Sequence, residues 1–383
     1  MPELGTKVDL PVMPPPTDTC TGKALSVRAL RKTYAGVTAV DEVSMEIAGG
    51  EFVTFLGSSG SGKTTTLMMI AGFCDPDSGS IVVGGRDVTR LAPQKRGLGF
   101  VFQQYLLFPH MTVWENVAFP LQLRGASKAE QRRRVGETLE MAGLSALARR
   151  RPRELSGGQQ QRVALCRALV YRPPVILMDE PLGALDKKLR DQLQTEIKRI
   201  QQELGLTVIY VTHDQEEALV LSDRIAVMRD GRIDQFDTPQ ELFERPRTPF
   251  VADFLGAANF LPGRLEEQTA ERTLVRLDTG GLLTARPQAV ADGARVRAAV
   301  QPGRLVLCPP DDGFCTGTVE TVTYVGTLVR VTVRPVSGAD TEVVRLELPA
   351  GRAPALGERV GLAADPANVS VFPDVVPDPE HGG

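Results

Sequence analysis

The segment GSSGSGKT at residues 57–64 joins an apolar run to a helical pattern. The run EFVTFL at 51–56 precedes it, and the helical pattern at 65–70 follows it. The segment fits G-x-x-x-x-G-K-[ST] in the strand–loop–helix context that this phosphate-binding motif requires. Its glycines let the backbone approach phosphate oxygens, and its N–H groups form an anion cradle with the next helix N-terminus. We therefore predict an α/β fold of the P-loop NTPase class, with a plain glycine-rich turn as the alternative.

Two side chains of this loop have the chemistry to act on a bound nucleotide. Lys63 is expected to reach the β- and γ-phosphates, and the Thr64 hydroxyl is expected to bind Mg²⁺. The predicted nucleotide-binding residues of the loop are Gly57, Ser58, Ser59, Gly60, Ser61, Gly62, Lys63, Thr64 and Thr65.

Downstream, the chain predicts a parallel βαβ unit. The runs at 175–178 (VILM) and 207–211 (TVIYV) are typical of buried strands. Between them, residues 186–204 repeat apolar side chains on one helix face, and Gly205 is a typical helix stop. The residues of that face are Leu189, Leu193, Ile197, Ile200 and Leu204. A strand, helix and strand in this order are normally parallel and right-handed.

Two adjacent carboxylates end the first of these strands. Side chains alternate along a strand, so Asp179 and Glu180 can face one site only if the strand ends there. Asp179 is suited to hold Mg²⁺ through water, and Glu180 is suited to polarise the water that attacks a γ-phosphate. Without the phosphate-binding loop, the pair would be read as an ordinary strand end.

Composition excludes several classes of protein. A length of 383 residues corresponds to roughly two to three domains. The formal charge of −3 gives no general attraction for nucleic acid, so we expect no nucleic-acid partner. The five cysteines are scattered and odd in number, which favours neither a zinc site nor a disulfide framework. No apolar run approaches the length of a membrane-spanning helix.

The segment LSGGQ at 155–159 is the most specific one. It comprises Leu155, Ser156, Gly157, Gly158 and Gln159, and a helical pattern follows it, so backbone N–H groups again face a possible anion. With the 57–64 loop and the 175–180 strand, in this order, it resembles the signature of ABC transporter ATPases. In that family the signature of one subunit caps ATP held on its partner's P-loop. A polar helix cap with solvated glutamines is the alternative.

The resemblance implies a domain arrangement. We expect a flexible Pro-rich tail at 1–23, then an ABC ATP-binding domain at 24–255 with a RecA-like core and an antiparallel β subdomain. A helical subdomain is expected at about 104–173. After Asn259 helical periodicity gives way to short strands such as 328–333 and 343–348. This region resembles the OB-like β-barrel (TOBE) domain of importer ATPases, expected at 256–374 and followed by a disordered tail at 375–383.

Four further residues occupy positions where the family has functional ones. Tyr34 resembles the aromatic that stacks on adenine, and Gln103 the glutamine that senses Mg²⁺ and the γ-phosphate. Asp186 resembles the D-loop residue that crosses between subunits, although an N-cap of the 186–204 helix is equally consistent. His213, after the 207–211 strand, resembles the switch histidine. The implied catalytic residues are then Glu180, His213 and Gln103, with ATP as cofactor and Mg²⁺ held by Thr64, Gln103 and Asp179.

The resemblance also implies partners. It favours a homodimeric motor of an importer, bound peripherally to integral permease subunits at the cytoplasmic face of the inner membrane and supplied by an extracytoplasmic solute-binding protein. The Asn259-Phe260-Leu261 junction is most similar to polyamine (spermidine/putrescine) importers. Ferric iron, phosphonate and sugar importers are alternatives, and a soluble ABC ATPase without a membrane partner is an alternative of another class.

Overall fold

The computed structural model describes residues 22–183, 185–288, 293–336 and 343–374. The chain divides into two compact units, Met1–Pro239 and Gln240–Gly383, called here the N-terminal and C-terminal units.

The N-terminal unit alternates strands and helices, as the sequence predicts. Its elements are β1 Leu25–Tyr34, β2 Val37–Ile47, β3 Phe52–Leu56, α1 Lys63–Ala71, β4 Ser78–Val83, β5 Arg86–Asp87, α2 Pro93–Arg96, β6 Gly99–Val101, α3 Val113–Leu123, α4 Lys128–Met141, α5 Gly157–Leu169, β7 Val175–Asp179, α6 Lys187–Leu204, β8 Thr207–Thr212, α7 Gln215–Leu221, β9 Arg224–Arg229 and β10 Arg232–Asp237.

The central sheet of this unit has the order β10-β9-β3-β8-β7-β6. Its strands pair in parallel except for β10, which is antiparallel to β9. Every residue of β3, β7 and β8 is buried, because helices cover both faces of such a sheet. The predicted P-loop NTPase core is thereby confirmed. The carboxyl ends of β3, β7 and β8 meet at one edge, where ligands of α/β proteins bind.

The predicted βαβ unit is present as β7, α6 and β8. Asp186 caps α6 by accepting a hydrogen bond from the Leu189 N–H at 3.0 Å. Gly205 ends the helix in the left-handed conformation, with φ 58°. Both helix boundaries therefore follow from local backbone chemistry that the sequence already indicates.

Two smaller parts complete the N-terminal unit. Strands β2-β1-β4-β5 form an antiparallel sheet. Helices α3, α4 and α5 share an apolar cluster that includes Val117, Leu139 and Val163. They lie within the 104–173 range predicted for the helical subdomain.

The C-terminal unit is mainly antiparallel β-structure. Helix α8 spans Pro239–Glu244, so its first residue belongs to the N-terminal unit. The other elements are α9 Pro249–Gly256, β11 Asn259–Gln268, β12 Thr273–Leu277, β13 Leu282–Ala285, β14 Arg295–Val300, β15 Leu305–Cys308, β16 Cys315–Val325, β17 Leu328–Pro335, β18 Val344–Pro349, β19 Arg359–Ala364 and β20 Ser370–Pro373. The two sheets, β13-β12-β11-β14-β20 and β15-β19-β16-β17-β18, contribute to one apolar core.

The division between the units lies earlier than the predicted boundary near residue 256. Helix α9 belongs to the C-terminal unit because Ala252 packs with Ala258, Ala299 and Phe372 in a cluster of its own. The loss of helical periodicity marks the start of strand β11 at Asn259, whereas packing divides the chain at Pro239.

Of the two predicted tails, residues 1–21 and 375–383 lie outside the described residues. The last two residues of the predicted N-terminal tail are fixed by hydrogen bonds. Gly22 donates its N–H to the Gly205 carbonyl at 2.7 Å, and Lys23 donates to the Pro174 carbonyl at 3.2 Å.

The described ranges contain neither a membrane-spanning helix nor a metal-binding cluster. No helix there is long and apolar enough to span a bilayer. Within the same ranges, Cys74, Cys166, Cys308 and Cys315 are free thiols, and no group of three or more His, Cys, Asp or Glu side chains forms a metal cluster.

Arg96 fixes the C-terminal end of α1 from within the protein. It is only 5% exposed. Its guanidinium donates hydrogen bonds to four carbonyls, those of Met69 at 2.7 Å, Ile70 at 2.8 Å, Leu91 at 2.8 Å and Thr89 at 2.9 Å. One side chain therefore satisfies carbonyls from both the end of the phosphate-loop helix and the 89–91 segment.

Replacing this side chain tests its contribution to stability. We expect Arg96→Met to lower the free energy of unfolding of the N-terminal unit by about 2–4 kcal/mol, because it removes charged donors from buried carbonyls. Trp114 is the single tryptophan and lies in this unit, so urea unfolding followed by its fluorescence measures the change.

Arg90→Met is the matched control for Arg96→Met. Arg90 is exposed and donates to the Pro76 carbonyl at 3.2 Å, so its loss should cost less than about 0.5 kcal/mol. Equal unfolding midpoints for the two variants would contradict the proposed role of Arg96.

Candidate functional site

The loop between β3 and α1 has a backbone that depends on glycine. Gly60 and Gly62 have φ values of +83° and +95°. A Cβ atom at Gly62 would lie 2.6 Å from the Ala39 carbonyl oxygen and 3.2 Å from the Gly231 Cα. Gly62 therefore allows the loop to pass close to two other backbone segments, and α1 begins directly after it at Lys63.

Lys63, the first residue of α1, reaches back to this loop with its side chain. Its side chain is 5% exposed, and its Nζ donates to the Gly57 carbonyl at 2.8 Å and to the Ser58 carbonyl at 2.7 Å. Burial lowers the pKa of Lys63, while the charges of Glu180 and Asp179 oppose that shift. An ammonium has three N–H donors, so one donor is left for a further acceptor such as a phosphate oxygen.

Thr64 and Asp179 meet at the same edge of the sheet. The Thr64 hydroxyl donates to Asp179 Oδ1 at 3.1 Å. Burial raises the pKa of Asp179, and the Thr64 hydrogen bond opposes this shift. The strand β7 thus presents a carboxylate beside the hydroxyl at the start of α1.

These residues fit a nucleotide together with Mg²⁺. The Thr64 hydroxyl and the Asp179 carboxylate are the oxygen donors that Mg²⁺ prefers. Ser61 Oγ is buried and has no hydrogen-bond partner among the described residues. This hydroxyl of the loop can therefore form a hydrogen bond with a bound ligand. The free N–H groups of the first turn of α1 add the anion cradle that the motif requires.

The three predicted catalytic residues are in contact, because Gln103 and His213 both lie beside Glu180. Gln103 donates its amide Nε2 hydrogen to Glu180 Oε2 at 3.1 Å. His213 Nδ1 lies 3.2 Å from Glu180 Oε1. The Glu180 N–H donates to the Val211 carbonyl at 3.0 Å, which fixes its backbone to the end of β8. Gln103 follows β6 and His213 follows β8, so three neighbouring strands supply the group.

Tyr34 lies at the end of β1, away from this group along the chain. Its ring is 48% exposed, and Lys32 Nζ lies 5.4 Å from the ring centroid. A hydrogen bond with Cys74, followed by burial, raises the pKa of Tyr34. An exposed ring is available for stacking, and the assignment to adenine stays a prediction.

The LSGGQ segment caps α5 by a reciprocal pair of hydrogen bonds. Ser156 Oγ accepts from the Gln159 N–H at 3.4 Å, and Gln159 Oε1 accepts from the Ser156 N–H at 3.0 Å. Leu155 is buried, whereas Ser156 and Gly157 are exposed. The helix cap of the alternative is present, but its glutamines are not solvated, because Gln161 is 3% exposed and Gln160 donates to the Pro152 carbonyl at 3.1 Å. The helix start at Ser156 and Gly157 stays exposed.

This helix start packs on the first turn of α6 and on the turn that precedes it. A Cβ atom at Gly158 would lie 2.8 Å from the nearest methyl carbon of Leu189, and one at Gly157 would lie 3.4 Å from a methyl carbon of Leu185. Asp186 has the N-cap role described above; whether it also crosses to a second subunit stays a prediction.

Three polar residues near His213 were not predicted from the sequence: Arg190, Asp214 and Glu217. Glu217 is 2% exposed and accepts hydrogen bonds from the Tyr210 and Thr212 hydroxyls, each at 2.8 Å. Burial raises the pKa of Glu217. Arg190 donates to Asp214 Oδ2 at 2.8 Å. The D-Q-E-E segment at 214–217 has the helix N-cap pattern that could have identified Asp214.

Comparison with known families matches both units of the chain. The profile of the family described as ABC transporter matches residues 40–183. The profile of the TOBE domain matches residues 298–372.

Relatives match over most of the length. The spermidine/putrescine import ATP-binding protein PotA of Thermobifida fusca (strain YX) is 48% identical, over 91% of this chain and 94% of that protein. The Fe(3+) ions import ATP-binding protein FbpC of Agrobacterium fabrum (strain C58) is 46% identical, over 78% of this chain and 88% of that protein. A solved dimeric ATP-binding cassette in a post-hydrolysis state, bound to ADP and Pi, is 37% identical with a TM-score of 0.51, covering 56% of this chain and 98% of its own.

The backbone requirement at Gly62 predicts the effect of one substitution. We expect Gly62→Ala to weaken ADP binding by about tenfold or more, since both the positive φ and the short contact with Ala39 force the loop to move. Isothermal titration calorimetry with Mg-ADP measures the affinity. Gly85→Ala is the control because its φ is +79° and a Cβ there meets nothing within 4 Å. Wild-type affinity in Gly62→Ala would contradict the loop's assigned role.

Proposed function

The chain belongs to the ATP-binding, ATP-hydrolysing subunits of ABC transporters, and from this membership we propose that it drives the import of polyamines of the spermidine/putrescine class. The relative from Thermobifida fusca supports this cargo because the similarity continues through both units. The proposal has two parts, the chemistry at Glu180 and the solute, and each is tested separately.

The observation that supports the chemistry is the position of Glu180 between Gln103 and His213. A carboxylate that accepts a hydrogen bond on one oxygen and faces an imidazole nitrogen on the other is oriented to take a proton from water. Lys63 binds phosphate oxygens in this proposal, and Thr64, Asp179 and Gln103 hold Mg²⁺. The bound metal would neutralise phosphate charge. The chain's own residues orient the water and receive its proton.

We propose that two copies form the working unit. At the exposed helix start the Ser156 N–H is bonded to Gln159 Oε1, which leaves the Gly157 N–H for an anion, and this helix start lies on a different element from the loop at 57–64. A second anion-binding helix start with no carboxylate pair of its own suits a site completed by another copy. The dimeric ADP-bound cassette among the similar structures supports the same arrangement.

The proposal includes integral permease subunits and a location on the cytoplasmic face of the cell membrane. ATP is available on that side, and solute recognition then belongs to the permease and to an extracytoplasmic solute-binding protein. Import of ferric iron is the second candidate, because the relative from Agrobacterium fabrum is 46% identical. A soluble ATPase without membrane partners is the alternative class, which cell fractionation tests directly.

One substitution separates hydrolysis from nucleotide binding. We expect Glu180→Gln to lower the ATPase rate by at least about a hundredfold, because the amide cannot accept the water proton, while ATP affinity stays within about twofold. The same variant should accumulate as an ATP-bound dimer in size-exclusion chromatography. Glu203→Gln is the control because Glu203 is an exposed partner of Arg199 on α6. Normal turnover by Glu180→Gln would exclude Glu180 as the base.

Uptake assays test the proposed cargo. In cells that lack this protein, we expect loss of labelled spermidine and putrescine uptake, with ferric iron, phosphonate and sugar uptake retained. Wild type should restore uptake and Glu180→Gln should not. Loss of iron uptake alone would favour the second candidate, and loss of none of these solutes would contradict the polyamine proposal.

A further inference from the structure

Arg190 connects three places in the N-terminal unit. The residue lies in the first turn of α6 and is partly buried, with 26% of its side chain exposed. One terminal nitrogen donates to Asp214 Oδ2 at 2.8 Å, and the other donates to the Leu185 carbonyl at 3.1 Å. Its Nε lies 3.7 Å from Glu217 Oε1. One planar guanidinium thus holds the turn before α6 and the first turn of α7 together.

The Asp214 side of this connection fixes the backbone on both sides of His213. Asp214 Oδ1 accepts from the N–H groups of Glu216 at 2.8 Å and Glu217 at 3.2 Å, which caps α7. The Asp214 N–H donates to Thr212 Oγ1 at 3.0 Å, and that hydroxyl donates to the buried Glu217 carboxylate. These hydrogen bonds fix the residues on either side of His213, Thr212 and Asp214. The position of His213 therefore depends on the position of the turn that Asp214 caps.

The other partner of Arg190 is the main-chain carbonyl of Leu185. Leu185 lies between Glu180 and Asp186, and its side chain packs near Gly157 at the start of α5. A movement of the 185–186 turn therefore acts directly on the bond from Arg190 to the Leu185 carbonyl. In the proposed two-copy arrangement, this turn and the LSGGQ segment face the second copy.

We propose that Arg190 is a positioning residue that holds His213 against Glu180 by tying the capped turn at Asp214 to the 185–186 turn. This inference rests on the proposed function and deepens it, because it names a positioning residue of the same site. It assigns no proton or phosphate contact to Arg190 itself.

The geometry requires a guanidinium. A planar fork can donate to a carboxylate and a carbonyl at the same time, whereas an ammonium is a point donor on a flexible stem. Arg190→Lys should therefore recover little of the activity that Arg190→Met loses. A role that depended on charge alone would be rescued by lysine.

The test measures ATP turnover of the full chain. We expect Arg190→Met to lower kcat by about tenfold to a hundredfold, since misplacing a catalytic group by about 1 Å can cost that much, with KM for ATP within about twofold. Lys187→Met is the matched control. Lys187 pairs with Glu216 across the same two helices at 3.4 Å, but both side chains are mostly exposed, so kcat should not change.

A double-mutant cycle separates positioning from general damage. If Arg190 acts through His213, Arg190→Met should cause no further loss in a His213→Ala background. Single-turnover assays with protein in excess over ATP keep the slow variants measurable. An equal fold-loss in both backgrounds would overturn the inference, and so would a normal kcat in Arg190→Met.

A second variant tests the inference in case Arg190→Met does not fold. Asp214→Asn keeps a side-chain oxygen to cap α7 but removes the charge that faces Arg190. It should lower kcat with a melting temperature close to that of wild type, and an unchanged kcat would overturn the inference. A wild-type chain that does not hydrolyse ATP would instead overturn the proposed function, so the two failures are distinguishable.

Discussion

The backbone turn at Glu180 is the constraint on which the site depends. Adjacent residues of a strand point to opposite faces, yet Asp179 and Glu180 both serve the edge where β3, β7 and β8 end in the proposed function. The chain solves this by placing Glu180 in the left-handed region, with φ 43°. A non-glycine residue there costs on the order of 1 kcal/mol, and the bond from its N–H to the Val211 carbonyl helps to hold it. Asp179 stays in the strand while Glu180 turns toward Gln103 and His213.

Two charged side chains at this edge have pKa values that burial shifts. Burial lowers the pKa of Lys63 and raises the pKa of Asp179, so in both cases the buried environment disfavours the charged form. Phosphate oxygens would stabilise the ammonium, and a divalent cation would stabilise the carboxylate. The electrostatic shifts and the orphaned Ser61 hydroxyl therefore point to the same kind of ligand.

Local signals in the sequence predict the elements that supply the site, but not the contacts between them. The start of α1 at Lys63, the end of β7 near Asp179 and both ends of α6 follow from glycine, N-cap and strand chemistry within a few residues. The N-cap pattern at 214–217 could have identified Asp214, but the contacts of Arg190 with Asp214 and Glu217 could not be assigned in this way. Arg190 and Asp214 are 24 residues apart and meet only through packing of α6 on α7. The early division at Pro239 has the same cause, since α9 is assigned by its contact with Ala299 and not by its own pattern.

Asn259 illustrates how a single buried polar residue can fix the C-terminal unit. It is 5% exposed and lies at the start of β11. Its amide nitrogen donates to the Val300 carbonyl at 3.2 Å and the Arg345 carbonyl at 2.8 Å, and its oxygen accepts from the Arg345 N–H at 2.8 Å. Val300 ends β14 of one sheet, and Arg345 lies in β18 of the other. An apolar side chain of the same size would remove a partner from one buried backbone group, the Val300 carbonyl, and from two part-buried groups of Arg345. The amide therefore helps to set how the two sheets meet around their shared core.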